Sequence, residues 1–400
     1  MNKHIQKVSS ILSILFLNFF MHSAEEKTLK NNTSYQKAVI INPVIDMNNS
    51  YPAPPKELPI APGFNQYNCQ RAHQGLFNEL VSIIDERHNA TDPNKSMVEI
   101  AFDDIDYKGD GTSTFWTYKK NILPLNEDTN LQIINSIPNP SYGSEPTIVL
   151  IWPWNNFSVG TRFKYISENE IEYGTEFIPG YIIKYYDHKN NLEIIDTIPQ
   201  IDALQEYKET PDHHRDLFVS IVNQLINRVN IEYPGHAIPY VWGGSSFIHT
   251  CLSDHYWNDN NAWHRYKKNS IYHGYDCSEL IVRMAKIAGI HFPWKTTPAI
   301  QAKKRALSET QKLENGDIIW IQGHVMIISD LEKNELIHAR GYTSGYGSVH
   351  KACLSEVFHN VENYEQLLTM YRTDQPLTLK VKNGDVFKTW DLFKLLKLID

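Results

Sequence analysis

Cysteine is scarce in this chain: four residues, Cys69, Cys251, Cys277 and Cys353, lie far apart, with no CxxC pair and no His/Cys cluster at metal-ligand spacing. That sparsity excludes a disulfide scaffold and a zinc site, leaving at most one bridge among Cys69, Cys251 and Cys353 and a free thiol beside it. Basic runs are missing as well. The balance of 38 Lys and Arg against 46 Asp and Glu, net −8, provides no stripe to follow a phosphate backbone, so nucleic acid is not an expected partner. There is no HExxH motif and no phosphate-binding glycine loop, and no apolar run reaches the ~20 residues of a membrane span.

What the chain does have is bulk. With 400 residues, 42% hydrophobic and 21% charged, it can bury real cores and divides into two or three domains. The opening "MNKHIQKVSSILSILFLNFFMHSAEE" sets Lys3 and Lys7 before an apolar stretch at 11–20 and the small pair Ser23-Ala24. This is the grammar of a cleaved secretory signal over 1–24, and export to the periplasm or beyond follows as an expectation. The other reading is an uncleaved anchor, against which Ser9, Ser10, Ser13 and Asn18 interrupt the apolar run. No cysteine is present there to accept a lipid.

After a polar linker at 25–37 come short runs rich in β-branched and aromatic residues: "AVIINPV" (38–44), "ELVSII" (79–84), "SMVEIAF" (96–102) and "STFWTY" (113–118). Between the last two, Asp110-Gly111 suits a tight hairpin turn. Residues 38–125 therefore read as a small all-β barrel. A second set, "TIVLIW", "TRFKYI", "EFIPGYIIKYY" and "LEIIDTI", makes 126–205 another small β domain.

Near residue 210 the period changes. Leu217, Phe218, Ile221, Val222, Leu225, Ile226 and Val229 recur at helical steps, and "YDCSELIVRMAKIAG" predicts a second helix, with Gly289 as its stop. Three strands follow in "DIIWIQ", "HVMIIS" and "ELIHAR". The fold class is α+β: two β domains, a catalytic domain over 210–375 and an extension over 376–400.

Cys277 opens the second helix. A thiol there meets unpaired N–H groups and the positive end of the helix dipole, which favour thiolate. His324 and His338 lie downstream in strands, giving the order Cys, His, polar of a papain-like nucleophile, base and orienting group. Cysteine on an amphipathic helix is by type a core residue, and 17 histidines make a chance pairing easy.

The surrounding text decides between these. "PYVWGG" (239–244), "YDCSEL" (275–280), "ENGDIIWI" (314–321), "GHVMII" (323–328) and "LIHARG" (336–341) occur in an order that resembles the NlpC family of bacterial cell-wall cysteine peptidases. The resemblance implies a papain-like domain with Cys277 as nucleophile, His324 as general base and acid, His338 as orienting residue and Tyr240 beside the oxyanion, with no cofactor or metal. One departure is Glu279, where that family usually has Gly. It reads either as a solvated first-turn acid or as an anion that raises the thiol pKa and narrows the substrate range.

The N-terminal regions resemble the bacterial Src-homology-3-like barrels that precede this domain in γ-D-glutamyl-L-diamino-acid endopeptidases. That resemblance implies cleavage of murein stem peptides, in particular fragments with a free N-terminal L-Ala. Asp276 would hold the amine, and Ser278, Glu79 and Trp242 would contribute to substrate binding. Asp276 is equally a helix N-cap. Asn78 stands where the barrel's usual Gly would be, and Ser113 and Thr114 replace an aromatic residue expected before the tryptophan, so the cap over the cleft has a different shape. A papain-like amidase or acyltransferase, and a non-catalytic binder of cell-wall peptide, are the competing readings.

Three further patterns read as structural. "DDIDYKGDG" has the outline of a calcium loop, but Lys108 stands where an oxygen ligand is needed. His213-His214 has no third ligand nearby and reads as a solvated helix end. Trp152, Trp154, Trp257 and Trp263 read as core packing, with glycan stacking as the other job of such residues.

Overall fold

The computed structural model describes residues 35–51, 71–111, 113–127, 129–138, 146–206, 211–249 and 273–399. The signal segment, nearly all of the linker, Cys69, Cys251, Trp257 and Trp263 lie outside the described residues. Among the described residues no helix is long and apolar enough to cross a membrane. Residues 37–400 form one compact unit, built on antiparallel strand pairs in each of its sheets.

The first sheet has seven strands: β1 (Gln36–Ile40), β2 (Val44–Asn48), β3 (Arg71–Leu76), β4 (Leu80–Arg87), β5 (Met97–Ala101), β6 (Phe115–Tyr118) and β7 (Ile122–Pro124), in the order β3-β2-β6-β5-β4-β1-β7. An edge strand normally exposes its backbone. Here β3 is buried at every residue, because other parts of the unit cover it. The expected two-residue turn between β5 and β6 is instead a long loop. Asp106 organises it, accepting from the Gly109 N–H at 2.8 Å, the Gly111 N–H at 3.1 Å and Ser113 Oγ at 3.1 Å, while its backbone bridges to Trp294. A carboxylate reaching three donors outcompetes the local hairpin preference.

A short helix, α1 (Leu131–Ser136), leads to the second sheet: β8 (Thr147–Leu150), β9 (Arg162–Tyr173), β10 (Glu176–Asp187), β11 (Leu192–Pro199) and β12 (Ala203–Gln205), ordered β11-β10-β9-β8-β12. Its core gathers Phe77, Ile148, Leu150, Phe163, Ile183, Ile198 and Ala203. Trp154 stacks on Phe157, with 11° between the rings, and Trp152 is buried against Phe247. Both tryptophans pack as the sequence reading anticipates.

Helix α2 (Pro211–Glu232) buries Phe218, Ile221, Val222, Leu225, Ile226 and Val229, the apolar face of its periodicity. The short pair β13 (Ser245–Ser246) and β14 (Gly274–Tyr275) precedes α3 (Cys277–Ile287), and α4 (Thr297–Lys303) follows it. Gly289 ends the α3 segment at φ +73°, the left-handed stop its position predicts. His214 is not a solvated helix end: its Nδ1 lies 2.6 Å from the Ala288 carbonyl, where a ring N–H satisfies one of the orphan acceptors at the end of α3.

The last sheet is β18-β17-β16-β15-β21, built from β15 (Ile318–Ile321), β16 (His324–Asp330), β17 (Glu335–Arg340), β18 (Ser348–Cys353) and β21 (Phe393–Leu396). Helices α5 (Leu354–Val357) and α6 (Tyr364–Arg372) and the hairpin of β19 (Leu377–Lys380) with β20 (Val386–Trp390) pack around it. The segment read as an extension from 376 thus contributes an edge strand to this sheet. Its strand β21 pairs with β15, Ile318 opposite Leu396 through Ile321 opposite Phe393, because Phe393, Leu395, Leu396 and Leu398 have nowhere else to bury.

Candidate active site

Asp276 starts α3 in extended backbone. Its Oδ1 accepts from the Glu279 N–H at 2.8 Å and Ser278 Oγ at 3.0 Å, and Oδ2 accepts from the Gly243 N–H at 3.0 Å. The first of these is an N-cap. The cap places Cys277 in the first turn, buried, with α3 packed against β16 and β17.

Burial and the charge of Asp276 push the Cys277 thiol up to about 12, and the backbone N–H groups of Val325, Ser278 and Cys277 that face the sulfur offset only part of it. The sequence expectation of a thiolate favoured by the helix start is corrected accordingly. Desolvation of a sulfur anion outweighs a few N–H dipoles, and the resting group is a neutral thiol.

Strand β16 brings the next members. The Val325 N–H at the sulfur follows directly on His324, whose Nε2 lies 2.9 Å from His338 Nδ1 on β17. His338 Nε2 in turn lies 2.8 Å from His350 Nε2 on β18. Burial lowers His324 to about 3 and His350 to about 3, and holds the His338 imidazole well below its ordinary range. All three rings are therefore neutral near pH 7. His350 carries no sequence signal, standing in "SVHKAC" as one polar residue of an alternating strand; only the pairing of β17 with β18 sets it opposite His338.

Tyr240 is buried beside Gly341, and its backbone N–H donates to the Gly347 carbonyl at 2.9 Å. The glycine that follows Trp242 answers to packing. Gly243 has φ +63°, and a Cβ there would stand 2.3 Å from the Arg71 carbonyl oxygen of β3, so the first sheet and this loop meet backbone to backbone. Trp242 packs against Met97 and Trp116 of the first sheet.

Glu79 lies elsewhere than the substrate role expected of it. Its Oε1 accepts from Arg283 Nη1 and Lys286 Nζ, each at 2.8 Å, and its Oε2 from the Leu76 N–H at 2.8 Å. Burial alone would raise its pKa, but Lys286 and Arg283 prevail and hold the carboxylate below its ordinary range. Oε1 braces the first sheet against α3, and Oε2 closes the turn that follows β3. Asn78 beside it has φ +67°, a left-handed conformation that Asn tolerates better than most residues.

Glu279 is fully buried, not solvated. It pairs with Lys295, and its Oε1 lies 2.8 Å from His73 Nδ1. Lys295 also donates to the Ala72 carbonyl at 2.7 Å. A large acid fits here because β3 and the loop after α3 supply partners for it. Of the two described cysteines, Cys277 and Cys353, both are free thiols. Among the described residues no group of His, Cys, Asp and Glu is arranged to hold a metal ion.

Comparison with curated proteins finds none that matches. The solved structure of NlpC1 from Trichomonas vaginalis aligns at 12% identity over 82% of this chain and 91% of that one, with a TM-score of 0.29, too loose a superposition to inform fold or function. Residues 237–363, which hold Cys277, the three histidines and Tyr240, match the NlpC/P60 family.

Proposed function

We propose that the protein is an exported cysteine endopeptidase that hydrolyses the γ-D-glutamyl to diamino-acid bond of peptidoglycan stem peptides. The observations that carry this reading are the Val325 N–H at the Cys277 sulfur and the 2.9 Å contact between His324 Nε2 and His338 Nδ1, inside the segment that matches the NlpC/P60 family. The finer specificity rests on the likeness of the N-terminal β regions to Src-homology-3-like barrels.

In the first step the Cys277 S–H proton passes to His324 as sulfur attacks the amide carbon. The oxyanion is received by backbone N–H groups at the start of α3 and by the Tyr240 hydroxyl. Collapse breaks the C–N bond, and the proton on His324 goes to the departing amine. Water then adds to the thioester, giving a proton to His324 that returns to sulfur as the acid leaves. His338 holds the His324 ring. Neutral thiol and neutral imidazole make the resting state, so charge develops only when substrate has displaced water from the cleft.

The test is mass spectrometry of products from L-Ala-γ-D-Glu-diaminopimelate and its N-acetylated copy, with Cys277→Ala beside the wild type. Cleavage at the γ-glutamyl bond, lost in Cys277→Ala, is the expected result. Cleavage of both peptides would retain the peptidase and remove the free-amine requirement. A product mass that includes an added acceptor would make it an acyltransferase, and no product at all would overturn the endopeptidase reading.

A further inference from the structure

We propose that His350 is a positioning residue that sets the tautomers of His338 and His324 and thereby keeps His324 Nδ1 free to take the proton of Cys277. The catalytic consequence rests on the peptidase reading above; the tautomers do not.

The inference starts from an atom that can only accept. His350 Nδ1 lies 3.2 Å from the Ser348 carbonyl oxygen, so for a hydrogen bond Nδ1 carries the hydrogen. A neutral ring then has its lone pair on Nε2, 2.8 Å from His338 Nε2, which must donate. His338 is left with a lone pair on Nδ1, 2.9 Å from His324 Nε2, which must donate in its turn. What remains is the His324 Nδ1 lone pair. One backbone carbonyl thus orders three imidazoles, provided each is neutral.

Burial supplies that condition. It is the leading cause of the lowered pKa at all three rings, and Arg340 and Lys382 near His350 push the same way. The ring plane of His350 is held too. Tyr346 stacks on it at 3.9 Å between centroids and 6° between planes, and Arg340 lies 5.4 Å over the Tyr346 ring. His338 and His350 face each other directly across β17 and β18, which brings the two rings to 4.3 Å between centroids. During attack the thiol proton moves to His324 Nδ1, and His324 Nε2–H, His338 Nε2–H and His350 Nδ1–H all stay in place. The positive charge is stabilised by an aligned acceptor, with no proton relayed along the row.

His350→Phe keeps a flat ring against Tyr346 but removes the acceptor. His338 would then carry its hydrogen on Nδ1, to avoid burying an unpaired N–H. His324 would have to accept at Nε2 and hold its own hydrogen on Nδ1, so that Nδ1 could no longer take a proton from the thiol. Glutamine can place Oε1 where the His350 Nε2 stood, so His350→Gln restores the acceptor.

The experiment pairs a tautomer readout with a substrate-free chemical one, on the full-length protein. Nitrogen NMR of histidine-labelled protein at neutral pH is expected to find hydrogen on Nδ1 of His350 and on Nε2 of His338 and His324. Alkylation of Cys277 by iodoacetamide, followed on its own peptide, is expected to slow roughly 10²-fold in His350→Phe, the size of a lost general base, and to recover most of its rate in His350→Gln. Hydrogen on Nε2 of His350 in the wild type overturns the proposal, as does an unchanged alkylation rate in His350→Phe. If His350→Phe does not fold, the wild-type tautomers and the rate in His350→Gln decide. Tautomers as stated in a protein that cleaves no stem peptide would overturn the peptidase reading and leave this one standing.

Discussion

Two oxygens of Asp276 accept three hydrogen bonds, from Glu279, Ser278 and Gly243, so cap and loop anchor are one group. Burial, only partly opposed by Lys295 and these donors, raises its carboxyl to about 6. In the proposed amine clamp only the ionised form binds a substrate ammonium. The carboxylate is present above about pH 6 and is lost as pH falls through that value, so kcat/KM for the free-amine peptide should decline below it. Asp276→Asn should remove that acid limb and weaken binding by about 1.5–3 kcal/mol, the usual size of a hydrogen bond to a charged group. A pH profile of kcat/KM for both proteins checks this. The linkage to stability runs the opposite way. A carboxyl whose folded pKa is raised contributes stability that is full below its ordinary range and is lost as pH rises through about 6.

At the scale of elements, α3 is held by two groups of charges that the first sheet helps to build. Glu79 takes Arg283 and Lys286, and Glu279 takes Lys295 with His73 alongside. Buried ions of this kind cost desolvation that only a complete partnership offsets. Glu279→Gln takes the paired carboxylate from the Lys295 side chain, 2% exposed, and leaves only the less direct charges of Asp276 and Glu79 acting on it. Urea unfolding should register a loss of about 3–5 kcal/mol. Adding Lys295→Met should recover much of it, since a matched apolar replacement removes both charges. Were the single and double variants equally destabilised, the ion pair would not be what couples β3 to α3.

For the whole molecule, the sheet that carries His324 and His338 has Phe393–Leu396 as an edge strand. Phe393, Leu395, Leu396 and Leu398 are buried. Lys397 donates to Asp317 Oδ2 at 2.6 Å and also pairs with Glu314. Burial of four such side chains is worth about 6–12 kcal/mol at 1.5–3 kcal/mol each, comparable with the entire stability of a domain at about 5–15 kcal/mol. Deletion of 377–400 should therefore abolish cooperative unfolding in a thermal melt and leave the protein insoluble on expression. A soluble truncated chain with a sharp melt would mean that the β15 edge needs no partner.

Much of this was legible in one dimension because it depends on neighbours in sequence. The α2 and α3 periodicities, Gly289 as a stop and Asp276 as a cap each express local geometry that a period or a spacing reveals, while the histidines of "GHVM" and "LIHA" were singled out by the resemblance of their surrounding text. Strand runs such as "EFIPGYIIKYY" were readable for the same reason, since alternation and β-branching mark a strand whatever it pairs with. Tertiary structure alone decided the rest. Nothing near Glu279 announces Lys295 or His73, nothing near Glu79 announces Arg283, and His350 becomes part of the row only when β18 pairs with β17. These partners lie 12 to 206 residues apart, and the factors that set their charge and tautomer, burial and a facing carbonyl, exist only once the chain has folded. The sequence by itself determined which residues could do the chemistry; packing determined which protons they hold.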